Sequence, residues 1–190
     1  MITPQQFKQL WEIVEGDRLI SFPENCLSDV RIPSNARALL VEAGLPTDAA
    51  PLLCFGPPAS GTLERASKVW HQPSSFDRYR ILGGNGSGDP VCLDEDAEGQ
   101  IVYLNHDSNF ERVLMASSIL TLAECLVQFR NVIADAGGDT ELISQEQFES
   151  LLGRFRAIDP TASEEGGFWQ QEFGCFQSAD RKVWWRLWKR

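Results

Sequence analysis

An α+β fold, with a mainly antiparallel β-sheet flanked by N- and C-terminal α-helices, is what this sequence predicts, and three observations predict it. Apolar residues repeat at helical spacing near both ends of the chain. Between them, from Pro51 to Met115, come short apolar runs broken by glycine, proline and acids. The order is helices, then strands, then helices, without the regular alternation of a parallel α/β sheet.

The elements follow in order. A first helix is expected over 3–15. Thr3-Pro4-Gln5-Gln6 has the form of a capping box with proline at the first helical position, and Phe7, Leu10, Trp11 and Val14 mark one face. A second helix, over 33–43, opens at Pro33 or Ser34 and buries Ala36, Leu39, Leu40 and Ala43. Gly44 then supplies a left-handed stop, and Pro46 blocks continuation. The sheet region, about 51–115, holds the candidate strands LLCF, KVW, YRILG, PVCL, IVYL and RVLM, with DEDAEG as a hairpin connection. Helices follow over about 118–156. Thr121 and Glu124 can cap the first of these, with Ser117 or Ser118 as an earlier start, and Leu122, Leu126, Phe129 and Ile133 share a face. Ser144 and Gln147 open the next, with Phe148, Leu151, Leu152 and Phe155 inward. A C-terminal appendage covers 160–190. Trp169, Phe173 and Phe176 fit a helix there, whereas VWWRLW fits a strand or a helix. The length suits one domain over 1–190.

Composition narrows the function. The chain is 43% hydrophobic and 23% charged, as a globular domain is. No apolar run approaches the ~18 residues of a membrane helix, and MITPQQFKQLWEIVEGD lacks the basic start and apolar block of a signal peptide. Five cysteines (Cys26, Cys54, Cys92, Cys125 and Cys175) are spread without a CxxC pair, which reads as small buried hydrophobes in a reducing cytoplasm. Net charge is −10, a surface that repels phosphate backbones and attracts basic partners. The last ten residues, RKVWWRLWKR, hold five of the 17 basic groups and no acid. That tail reads as a closing element with buried tryptophans, or as a surface-binding segment.

Three stretches imitate catalytic or metal sites. In LGGNGSGDPVCLD, Gly84, Gly86 and Gly88 approach the pattern of a phosphate loop. Such a loop needs a helix after the glycines to hold the anion. Here the continuation reads as a strand with acids, so a strand-to-strand turn is expected. DEDAEGQIVYLN places Asp94, Asp96, Glu98 and Gly99 as a calcium loop would, but Asn105 stands where a bidentate glutamate belongs. The two histidines, His71 and His106, show no metal-ligand spacing, and the consecutive His106-Asp107-Ser108 cannot align as a relay. No metal and no cofactor is implied. An enzyme would need several acids converging in one closed pocket.

The order of landmarks resembles the SUKH superfamily of bacterial immunity proteins, and most closely its fourth family. The matching pieces are FPENCLSDVRIPSNARALLVEAGLP, the short strand LLCF, YRILGGNGSGDPVCLDEDAEGQIVYL, FERVLMASSILTLAECLVQF, and FRAIDP with the later FW. Where many relatives have Asn before the Ser-Leu turn, this chain has MASSIL. The resemblance implies a non-catalytic cytoplasmic protein that neutralises a cognate toxin domain, often one that targets nucleic acid. The acidic charge suits a basic toxin, and the composition argues against direct contact with nucleic acid or membrane. An alternative within the same fold is a regulatory or scaffolding module. Asp89, Asp94, Glu95, Asp96 and Glu98 cluster at one predicted hairpin and are the candidate acidic contact surface for the partner. Oligomeric state is not legible in the sequence.

Overall fold

The computed structural model describes residues 1–12, 18–139, 142–164 and 167–171. Thr3 caps helix α1 (Pro4–Trp11) with the reciprocal Thr3–Gln6 box that its sequence predicts, and Phe7 and Trp11 are buried. Helix α2 (Ser34–Ala38) continues into a wider π turn over Leu39–Ala43. Gly44 ends it at φ +84° with an extended ψ, not in the left-handed helical region the sequence suggests. A Cβ there would lie 2.0 Å from the Ile20 carbonyl oxygen, so the position requires glycine twice over. This close approach arises because strand β1 (Leu19–Ile20) pairs with β2 (Leu45–Pro46), a two-stranded element that the sequence reading did not contain.

The main sheet has five antiparallel strands in sequential order: β3 (Cys54–Phe55), β4 (Tyr79–Gly84), β5 (Pro90–Asp94), β6 (Gln100–Asn105) and β7 (Glu111–Ala116). The mixed α+β architecture expected from the sequence is thus present. One candidate strand is corrected. The KVW run belongs to the short helix α3 (Ala66–Val69), which an extended Arg65 precedes. The place beside β4 is taken instead by Glu64 and Arg65, through an Ile81 N–H to Glu64 carbonyl bond of 2.9 Å and a bridge from Arg65 to Arg80.

Period-two alternation sorts the sheet into two faces. Leu82, Val91, Leu93, Ile101, Tyr103 and Met115 point into the main core, where helices α4 (Ile119–Asp135) and α5 (Gln145–Ile158) cover them. Both helices open with capping boxes, Ser118–Thr121 and Ser144–Gln147. Phe168 and Trp169 close this layer, and the buried Trp169 indole donates to the Met115 carbonyl at 2.9 Å. The opposite, outer face carries a second and smaller cluster: Ala66, Tyr79, Cys92, Val102 and Leu104, with Phe76, Ile81, Phe110 and Leu114 packed on it. Its cover is thin, consisting of α3, a 3₁₀ turn at Ser74–Phe76 and the β6–β7 connection. Cys26, Cys92 and Cys125 are buried as expected, but Cys54 is exposed on the short edge strand β3. Cys175 and the basic tryptophan-rich tail lie outside the described residues.

Candidate functional site

The glycine stretch is a hairpin turn between β4 and β5. Asn85 folds it: its side-chain oxygen accepts from the Ser87 and Asp89 amides at 3.1 and 2.9 Å, and its backbone N–H donates to the Asp89 carbonyl at 3.1 Å. A strand follows, not a helix, so no helix N-terminus faces the glycines.

The five candidate acids do not form one surface. Strand β5 separates Asp89, at the β4–β5 turn, from Asp94 through Glu98, at the β5–β6 turn. Asp89 is buried and supports His106: its Oδ1 accepts from the His106 amide at 2.9 Å and lies 2.6 Å from Nδ1, while Oδ2 accepts from Asn85 Nδ2 at 2.9 Å.

Asp94 ends β5 with its side chain wholly buried on the outer face. Arg78 grips both its oxygens, Nε to Oδ1 at 2.6 Å and Nη2 to Oδ2 at 2.7 Å, and Arg112 Nε adds a contact at 3.2 Å. This hydrogen bonding raises the Arg78 guanidinium pKa further above its ordinary value. Burial, and next the Asp94 charge, push the Tyr79 phenol up as well. Glu95 is buried on the other side, against Arg80. Its Oε1 accepts from the Arg31 amide at 2.9 Å and stands 3.2 Å from Nε of the buried Arg80. Arg80 also holds Asp29 at 3.0 Å and donates to the Leu63 and Asp29 carbonyls.

Only Asp96 and Glu98 of the five are exposed. Asp96 makes a 2.8 Å pair with Arg31 at the surface. The stretch that imitates a calcium loop therefore spends its first carboxylate on two arginines. Among the described residues, no group of three or more His, Cys, Asp or Glu could hold a metal ion.

Sequence reasoning missed an aromatic platform at the other end of β6. Trp70 stacks on His106 with ring centroids 6.1 Å apart, and Phe110 meets Trp70 edge-on at 5.4 Å and Phe76 at 6.2 Å. Trp70, His106, Phe110 and Phe76 are all partly exposed. The two ring nitrogens of His106 face carboxylates, Asp89 and Asp107, not a serine or cysteine, so the pair is not arranged to activate a nucleophile. The available signal was the number of aromatics flanking the sheet strands, but nothing local joins Trp70 to residues 106–110.

No described helix is long and apolar enough to cross a membrane. A family model described as SUKH-4 immunity protein matches residues 5–176. Neither a curated protein nor a solved structure matches the chain.

Proposed function

The chain belongs to the SUKH-4 immunity protein family, and on that premise we propose that it binds and neutralises a cognate toxin domain in the cytoplasm by occupying its surface, without catalysis. The family match carries this reading. Charge gives it a physical form. A toxin that acts on nucleic acid presents a basic cleft, and a chain of net charge −10 is steered toward such a cleft and screened from it by salt.

The acids of the β5–β6 hairpin divide the work. Asp94 and Glu95, buried against arginines, fix the hairpin's geometry. Asp96 and Glu98, exposed at its tip, supply contact charge. Asp89 acts from the other turn by positioning His106. A rigid hairpin loses little entropy on binding, and a partner's cations would compete with Arg31 for Asp96.

Co-purification tests this reading. The tagged chain is expressed with the protein encoded immediately upstream, catalytically disabled. A stoichiometric complex that weakens as salt rises is expected. A chain that purifies alone would favour the regulatory or scaffolding module.

A further inference from the structure

The acidic tip is not the whole of the outer face. At the opposite end of β6, Trp70, His106, Phe110 and Phe76 form a continuous, partly exposed aromatic patch on the thinly covered side of the sheet. Val69, beside Trp70, is 45% exposed. Aromatic residues are the side chains that most often anchor protein interfaces, because they bury a large area with few rotamers to freeze.

The backbone that presents the patch is strained. His71, Asn109 and Phe110 have φ of +52°, +55° and +59°. This region is uncommon for non-glycine residues and an outlier for one as bulky as phenylalanine. Such conformations persist where surrounding contacts over-determine them, and they concentrate at ligand clamps. Here the contacts are Asn105, which accepts from the Ser108 amide at 3.1 Å and through its carbonyl from the Phe110 amide at 2.7 Å, and the buried Asp89 beneath His106.

The rim is acidic. The Asp107 side chain is 85% exposed, and Glu111, next to Phe110, is exposed. Two cations of the same face, Arg78 and Arg112, are engaged by buried Asp94, and Lys68 is exposed on α3. Aromatic faces bordered by exposed carboxylates suit a cation carried on an apolar stem, the chemistry of arginine and lysine.

We propose that the Trp70–His106–Phe110 platform, rimmed by Asp107 and Glu111, is the anchor of the toxin-binding surface and receives an arginine- or lysine-bearing element of the toxin. This deepens the immunity reading and rests on it. The six residues of β6 span about 20 Å at a strand's rise. A standard interface of about 800 Å² per partner is roughly 30 Å across. One toxin domain therefore covers both the platform and the Asp96–Glu98 tip.

The test uses the full chain and the neighbouring toxin domain with its catalytic residue substituted, measured by surface-immobilised binding kinetics. Trp70→Ala is expected to weaken binding about 30-fold, almost all of it in faster dissociation. Asp107→Lys reverses a rim charge that lies 3.3 Å from His106 Nε2 but leaves the Trp70–Phe110 edge contact in place. It is expected to slow association several-fold at low salt, with the difference vanishing at high salt. If wild type and both variants bind alike, the platform is overturned and the immunity reading stands. If the toxin binds none of them, the immunity reading falls and takes this inference with it. A concentration-dependent dimer of the free chain, split by Trp70→Ala in sedimentation, would also overturn it, because a second copy would then occupy the face.

Discussion

Arg78 holds Asp94 at both carboxylate oxygens, at 2.6 and 2.7 Å, and the Asp94 side chain has no exposure at all, whereas that of Arg78 is 32% exposed. The acid at the base of the hairpin is therefore an internal fastener. Its charge is neutralised by Arg78 and Arg112 before any partner arrives.

That relationship sets a stability contrast. Removing one member of a buried ion pair costs about 3–5 kcal/mol, because the other is left uncompensated. Here the abandoned arginines are each about a third exposed and can turn to water, so Asp94→Ala is expected near the lower end, about 3 kcal/mol. Asp96→Ala removes an exposed pair with Arg31 and a longer, 3.8 Å contact with the partly exposed Arg78, and should cost less than about 1 kcal/mol. Urea unfolding midpoints at neutral pH check both. Equal losses would contradict the assignment of Asp94 as the buried member.

Two buried thiols give the protein an alkaline limit. Desolvation pushes the pKa of both Cys92 and Cys125 upward. An unfolded chain releases an ordinary thiol proton near about pH 8.5, while the folded state keeps it. The stabilisation is thus complete below about pH 8.5 and is lost as pH rises, by about 1.4 kcal/mol per unit for each thiol. Tyr79, raised by burial and by Asp94, adds to the loss above about pH 10. Urea titrations from pH 7.5 to 10 should show this slope. The double variant Cys92→Ala/Cys125→Ala should flatten it below pH 10, and an unchanged slope would remove the thiols as its cause.

Charge reversal separates support from contact within the hairpin. Asp96→Lys with Glu98→Lys is expected to slow association with the toxin domain about tenfold at low salt and to leave folding stability within about 1 kcal/mol. The same rate loss should shrink as ionic strength rises, since exposed charges are screened beyond about 10 Å at 0.1 M. Stopped-flow association rates across a salt series read this directly. Salt-independent rates, identical in the variant, would exclude the tip from the encounter.

Features written in a few neighbouring residues were legible in the sequence. The capping boxes at Thr3 and Ser144 are local chemistry, and both form as read. PVCL and IVYL were legible as β5 and β6 because each is a short apolar run bounded by turn residues, the pattern of a strand buried on both faces. KVW misled because three apolar residues carry no period, and the tertiary setting made them a helical turn. The burial of three of the five acids was not legible for a different reason. Their burial depends on arginines 16 and 18 residues away for Asp94. For Glu95 it depends on the buried Arg80 and on the amide of Arg31, 64 residues distant. Composition counts such carboxylates as surface charge, and only the fold shows that they are already matched. The arginine at position 80 held the one available hint. It is buried within an apolar strand and so needed a buried counter-charge, which Glu95 supplies.

The most direct measurement is a titration of active toxin with this chain. The protein encoded immediately upstream, the proposed toxin, is assayed on its own substrate while the chain is added from zero to several equivalents. The account predicts that activity falls linearly and reaches baseline at one equivalent, with the added chain turning over nothing. Full toxin activity in the presence of excess folded chain would contradict it.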